Sequence, residues 1–409
     1  MSWSICFRGL ARCRWRAMGE GCLEKAKPNN NHTEFQSVTD VAMKTKWPTR
    51  PITIFTPSSA DEDNTNAQNL TVKEIVARLP PEQFHVIMIS EGRPDPRIAT
   101  RGNTDLVRWT EHWNTVRLLR RCFFPRPDIY FFPRSGPLDR AFFESRKCLG
   151  KSTALISYIV MMMNDVTDTG LIGRSIIEAD RLCSNSKYVA ETVREKFGLD
   201  STIVHDGVDR RFFFPRRESA PIRNPDSLVV LYAGSLQPRK RVELLVQEAA
   251  RWPTVQFRVA GRGETEAHCR ALSRRHDCSN ISFLGHLSSR QLGEEMRRAH
   301  VFLFPSILEG HPQVLGQAAA CGLPAVAMNV YRPDYVLHGE TGFLADSDSE
   351  LTQYLEVLLR DSWLRQSMAA AAGRHSRRFD WDRIVEQWIE IFREVVAERE
   401  TYGWGETAS

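Results

Sequence analysis

The stretch FLFPSILEGHPQVLGQAAACGLPAVA, residues 302–327, decides how the rest of the chain is read. Its first residues, Phe302, Leu303 and Phe304, form an apolar run of buried-strand type that stops at Pro305 and Ser306. A short loop, Leu308, Glu309, Gly310 and His311, leads to a predicted helix opened by Pro312, a residue favoured at the first helical position. Gly322 is placed to end that helix, and a second apolar strand begins at Ala325. Strand, helix, strand is the repeating unit of a parallel sheet. The start of such a helix presents free backbone N–H groups and the positive end of its dipole, which suits a diphosphate. Gly310 lets a ligand approach the backbone closely. Glu309 stands where it can accept hydrogen bonds from sugar hydroxyls. An isolated loop glutamate is ordinarily a solvated carboxylate, so the weight lies in the combination.

The same alternation runs outward in both directions. Toward the N-terminus, strands are expected at residues 228–233, 255–260, 281–284 and 301–304, with helices at 243–250, 265–275 and 289–299 between them. Residues 215–226 carry Pro215, Pro221 and Pro225 among charged residues with no apolar period, which is linker composition. Before the linker a second series appears: strands at 51–56, 84–89, 128–132, 154–159, 181–184 and 202–205, and helices at 70–79 and 187–197, the latter closed by Gly198. The WTEHWNTVRLLRRCFFPR stretch, residues 109–126, fits a helix packed on its Trp109, Trp113, Val116 and Leu119 spacing better than a membrane patch. The fold class is therefore α/β, with two successive Rossmann-like, doubly wound domains. Ligands in open sheets of this kind bind at the carboxyl ends of the strands, here in the cleft between the two domains.

Composition narrows the function classes. The chain has 409 residues, 42% hydrophobic and 26% charged, with a net charge of +5. That is an ordinary globular balance, and no dense Lys/Arg stripe points to a nucleic-acid binder. The charge suits anionic ligands and allows peripheral contact with an anionic membrane surface. The nine cysteines are scattered with no C-x-x-C pair, which argues against a zinc ribbon and against a disulfide framework. No apolar run reaches the roughly 18–20 residues of a membrane span. The expected location is the cytoplasm, with peripheral attachment to the inner face of a membrane allowed. Residues 1–49 are rich in Arg, Cys and Trp without an apolar signal core, and are expected to be an extension outside the folded domains, with Met43 as an alternative start.

The central stretch resembles the C-terminal motif of the GT-B glycosyltransferases, specifically glycosyltransferase family 4, whose E-x7-E pattern lies in a Pro-Ser…Glu-Gly setting before a Cys-Gly-x-Pro helix end. Here it reads Glu309 to Gln317, then Cys321, Gly322 and Pro324. Other landmarks follow in order. LYAGSLQPRK, residues 231–240, is similar to the family's phosphate-binding segment. FRVAGRG, residues 257–263, is similar to its second strand and glycine turn. Phe283, Leu284, Gly285 and His286 resemble the turn near the nucleotide base, and HDGVD, residues 205–209, resembles the Asn-Gly-Val-Asp before the linker.

The resemblance spans residues 51–399 and is stronger in the C-terminal half. It implies an N-terminal acceptor domain at 50–218, a nucleotide-sugar domain at 219–384, and a helix and tail at 385–409 that cross back to the first domain. It implies sugar transfer from a nucleotide-sugar to a hydroxyl acceptor, carbohydrate, lipid-linked or other, with the anomeric configuration retained. Glu309 and Lys240 would be the catalytic pair. Gly234, Ser235, Arg239, Gly285, His286, Gly310, His311, Pro312, Gln313, Val314 and Gln317 would bind the donor. No cofactor and no metal are expected, because Lys240 and the helix dipole supply the positive charge.

Three departures bear on this. The second Glu of E-x7-E is Gln317, which keeps one acceptor oxygen but not the charge; a charged hydrogen bond contributes about 1.5–3 kcal/mol against about 0.5–1.5 for a neutral one. The diphosphate-binding Arg is Ser235, leaving Arg239 or Arg241 to supply the charge. The glycine-rich loop after the first strand is replaced by an acidic, amide-rich loop containing Asp63, Asn64 and Asn66, which suits a hydroxyl-bearing acceptor or simply caps itself. The stretch 157–164 contains no His at the place where the family often has one, so no catalytic residue is assigned to the first domain. Two rival readings remain. Gly261-Arg262-Gly263 starts like a dinucleotide fingerprint, but Glu266 stands where the third Gly is needed. Gln317 and Ser235 would also suit a catalytically weakened protein that only binds sugar nucleotides.

Overall fold

The computed structural model describes residues 50–63, 67–108, 126–133, 136–149, 153–161, 166–215 and 228–402. These belong to one compact unit within residues 47–409. The expectations for residues 1–49, for the helix at 109–125, for the linker from 216 on and for Asn64 and Asn66 lie outside the described residues.

The first sheet comprises β1 (Ile52–Ser59), β2 (Phe84–Ser90), β3 (Thr104–Arg108), β4 (Ile129–Phe131), β5 (Ala154–Ile159), β6 (Arg181–Ser184) and β7 (Thr202–Ile203), in the order β3-β2-β1-β4-β5-β6-β7. All of its recorded pairings are parallel. It is accompanied by α1 (Ala67–Val76), α2 (Pro96–Ala99), α3 (Pro137–Leu149), α4 (Leu171–Ile177) and α5 (Lys187–Phe197). Central strand β5 is buried at every position, as expected for a strand covered on both faces. The helix α5 starts because Ser186 accepts a hydrogen bond from the Val189 N–H, and ends because Gly198 adopts φ +67°.

The second sheet comprises β8 (Val229–Ala233), β9 (Gln256–Ala260), β10 (Ile281–Gly285), β11 (Val301–Phe304), β12 (Ala325–Met328) and β13 (Gly342–Ala345), all parallel, in the order β10-β9-β8-β11-β12-β13. A 3-10 turn at Pro238–Lys240 precedes α6 (Glu243–Arg251), α7 (Glu266–Arg275), α8 (Ser289–Arg298), α9 (Gln313–Ala320), α10 (Asp348–Arg360) and α11 (Ser362–His375). A second 3-10 turn, Ser376–Phe379, leads to the long α12 (Trp381–Tyr402).

Both sheets reverse strand order once, between β1 and β4 and between β8 and β11. Loops leaving the carboxyl ends on either side of such a switch diverge and open a crevice. The loop after β8 carries Gly234, and the loop after β11 carries Glu309. Pro312 differs slightly from its expected place: it is the N-cap, and the helix starts at Gln313.

The helix α12 belongs to the last part of the chain but fills the core of the first sheet. Trp388, Phe392, Ile384 and Val395 are buried among Ile52, Phe84, Phe131 and Tyr158. The Trp388 ring meets Phe131 edge-on at 5.0 Å and Tyr158 at 4.9 Å. Burying such side chains contributes about 1.5–3 kcal/mol each, so the first sheet depends on a segment from beyond the second. At the entry to α12, Gly207 lies so close to Trp381 that an added Cβ would sit 2.3 Å from the indole. No described helix is long and apolar enough to cross a membrane.

Candidate active site

Glu309 is the centre of the cleft's charged cluster. Its Oε1 accepts hydrogen bonds from the Lys240 ammonium, from Ser306 Oγ, and from Arg239 Nη1 at 2.9 Å. Both partners in the pair with Lys240 are nearly buried, with side-chain exposures of 9% and 11%. Local backbone explains the convergence. The 3-10 turn Pro238–Lys240 lies against the end of β11, where Ile307 N–H donates to the Arg239 carbonyl at 3.1 Å. Arg239 Nη1 also donates to the Leu308 carbonyl at 2.6 Å. Lys240 lies over the Phe304 ring at 5.0 Å, a cation–π contact. Burial pushes the Lys240 ammonium down and Glu309 pulls it part way back, leaving it below the usual lysine value.

A cavity of about 280 Å³ opens beside this cluster. Its walls include Gly234, Lys240, Glu309, Gly310, His311, Pro312, Gln313 and Val314, so these predicted residues are brought together. The start of α9 faces it, with first-turn N–H groups and the helix dipole favouring an anion. Gly310 is pressed against the first domain: a Cβ there would sit 2.8 Å from the Val160 carbonyl oxygen.

The other predicted residues lie elsewhere. Ser235 is half-buried behind the turn, its carbonyl accepting from Tyr232 OH at 2.9 Å, and is not part of the cavity wall. Arg239 touches the cluster through Glu309, and Arg241 is turned away onto Asp348. Gln317 lies half-buried one turn further along α9, outside the wall. Gly285, with φ +69°, and the exposed His286 end β10 away from the cavity. Asp63 is exposed and also outside the wall.

The first domain contributes a wall that sequence reasoning missed: Thr71, Val160, Asn185 and Asp206. Asp206 is buried and accepts from Thr71 Oγ1 at 3.0 Å, Tyr158 OH at 3.2 Å and Asn185 Nδ2 at 2.9 Å. Gln313 Nε2 reaches across to Thr71 Oγ1 at 3.3 Å, and Ser186 Oγ to the Gly310 carbonyl at 3.3 Å. The available signal was HDGVD, residues 205–209, where an ionisable residue replaces the amide of the resembling motif.

Known proteins resemble this chain in sequence and in fold. The chain is 33% identical over 242 residues to a protein of Mycobacterium tuberculosis named D-inositol 3-phosphate glycosyltransferase, covering 54% of this chain and 50% of that one. The chain thus spans about half the length of the curated relatives it matches. Among solved structures, HepE of Anabaena in complex with UDP and glucose superposes with a TM-score of 0.67 at 16% identity, covering 84% of this chain and 99% of that one. Sucrose-phosphate synthase from Thermosynechococcus elongatus superposes with a TM-score of 0.67 at 17% identity, covering 85% and 100%. The fold is that of the GT-B glycosyltransferases, and residues 227–361, which carry Lys240 and Glu309, match the family described as Glycosyl transferases group 1.

Proposed function

We propose that the chain is a retaining glycosyltransferase that moves a sugar from a nucleoside-diphosphate sugar to a hydroxyl acceptor. The carrying observation is the junction of a buried Lys240–Glu309 pair with the start of α9 on one cavity wall. The match of residues 227–361 to group 1 glycosyl transferases supports the same reading, as does the name of the mycobacterial relative.

The donor diphosphate rests on the first turn of α9 and on Lys240, which stabilise the charge that grows as the bond from sugar to phosphate breaks. When the diphosphate arrives, Lys240 transfers part of its pairing from Glu309 to phosphate. That frees the Glu309 carboxylate to hold sugar hydroxyls and fix the orientation of the reacting carbon. The acceptor enters along the first-domain wall of Thr71, Asn185 and Asp206. Retention follows when the acceptor attacks the face the phosphate leaves, with the departing phosphate taking the acceptor proton. No cofactor takes part, and Lys240 with the helix dipole does the work a divalent ion does in other transferases.

The test is product analysis. Purified protein is incubated with UDP-, GDP-, ADP- and TDP-sugars and a panel of hydroxyl acceptors, and the anomeric proton of any product is read by NMR. A product with the donor's anomeric configuration is expected. An inverted product would remove the retaining mechanism, and donor binding without any transfer would mark a sugar-nucleotide-binding protein without catalysis.

A further inference from the structure

Where the two domains meet, beside the cavity that His311 lines, stands a second cluster of polar side chains. His205 follows β7 in the first domain, while His311 and Asp334 belong to the second. One potential ligand atom from each lies within 4.8 Å of the other two, the one such group of three among the described residues. His205 Nε2 and Asp334 Oδ2 are 3.1 Å apart. The His311 side chain is fully buried, yet neither of its ring nitrogens has a hydrogen-bond partner. A buried polar group in that condition costs roughly 1–3 kcal/mol, which the stacking of the ring on Tyr335 at 3.9 Å does not relieve, because stacking satisfies neither nitrogen.

We propose that His205, His311 and Asp334 form a binding site for a zinc-class divalent ion that clamps the two domains together. Two imidazoles and one carboxylate are the ligand set of zinc and its neighbours, and not of magnesium or calcium, which prefer oxygen. Ligands about 2.1 Å from a tetrahedral ion lie roughly 3.4 Å apart, close to the present spacing of His205 and Asp334. His311, whose ligand atom lies within 4.8 Å of that pair, needs to approach by up to about 1.4 Å. Supporting groups are in place. Asp206 Oδ2 stands 3.9 Å from His311 Nδ1, so that with Nε2 on the ion the Nδ1–H turns to this carboxylate, the usual way an imidazole ligand is oriented. Asp334 is itself steadied by the Lys187 N–H at 3.2 Å, and His375 Nε2 lies 2.9 Å from the Asp334 carbonyl. Burial already disfavours protonation of His311, which leaves it in the ligating form. The partly exposed edges of His205 and Asp334, 24% and 17%, give the ion a way in.

The proposal is tested on the full chain after treatment with a chelator. Zinc chloride is titrated by calorimetry at neutral pH, and melting curves are recorded alongside, for the unmodified chain and for His205→Gln and Asp334→Asn. The expected result is one zinc bound per chain, a raised melting temperature, and binding weakened tenfold or more in each variant. Magnesium chloride should produce no shift. A cooperative melt without zinc shows that the variants fold. Absence of saturable zinc binding, or zinc binding unchanged in either variant, overturns the site.

Discussion

At the residue scale, the structure alters how Glu309 must be probed. A glutamate that only met ligand could be truncated harmlessly, but this one neutralises a buried Lys240. Removing one partner of such a pair leaves an uncompensated charge. Glu309→Ala should therefore lower stability by roughly 3 kcal/mol as well as stop transfer, while Glu309→Gln, which keeps the shape, should fold and lose about a hundredfold in kcat. Melting curves and initial rates on both variants check this; a fully active Glu309→Gln contradicts the assigned role. Gln317 offers a finer measurement. If it reaches the nucleotide ribose, Gln317→Glu should tighten donor binding by about 1 kcal/mol, near fivefold, since a charged acceptor is stronger than a neutral one. Its position outside the cavity wall makes the alternative informative: unchanged affinity by calorimetry places the residue out of the site.

His311 makes a pH prediction at the same scale. Burial lowers its pKa below the ordinary 6.5, with Asp206 opposing part of that shift. Below about pH 6.5 the unfolded chain takes up a proton that the folded chain refuses until its own lower pKa is reached. Stability contributed by neutral His311 is therefore complete above that value and lost as pH falls toward the folded pKa. Melting temperature should fall between about pH 7 and about pH 5, with a shallower fall in His311→Asn. Equal slopes in the two proteins would remove His311 as the source.

At the element scale, the loop after β11 and the start of α9 matter most, and they were the most legible part of the sequence. Pro305, Gly310, Pro312 and Gly322 punctuate that segment, and punctuation of this kind reports local backbone directly. Two of the edge strands, β3 and β13, were harder, while the edges β7 and β10 were expected. TDLVR in β3 carries two apolar residues at an exposed edge, and β13 is four residues of Gly342, Phe343, Leu344 and Ala345; neither has a period that separates it from a loop. The wall of Thr71, Asn185 and Asp206 was illegible for a different reason. Those residues come from α1, from the β6–α5 turn and from the loop after β7, and only the fold brings them together. Across the cleft, Gly310 lies against the end of β5. Gly310→Ala would set a methyl 2.8 Å from the Val160 carbonyl and force the cleft walls apart. Donor affinity should drop about tenfold, roughly 1.4 kcal/mol, with little change in melting temperature. Calorimetry decides it, and unchanged affinity would mean that the β5 end yields without cost.

At the scale of the whole molecule, chain order and spatial order diverge. The final helix completes the core of the first sheet, so the first half is not whole without the end of the chain. Trp388→Ala should cost about 3–5 kcal/mol, because the indole fills space between Phe131, Tyr158 and Phe392 that no neighbour can take. A denaturant titration would show it, and a loss below 1 kcal/mol would mean that the core repacks. That return of the C-terminus was expected from the resemblance and not from periodicity, since an amphipathic helix does not say which sheet it covers.

The account as a whole rests on Lys240 and the start of α9 holding the diphosphate of a sugar donor. The most direct measurement is calorimetric titration of the full chain and of Lys240→Ala with the sugar nucleotide that most raises the melting temperature. The account predicts saturable binding of one donor per chain, weakened about tenfold or more in Lys240→Ala, the loss expected for one charge-assisted contact. Binding of equal strength in both proteins, or no binding of any nucleoside-diphosphate sugar, would contradict it.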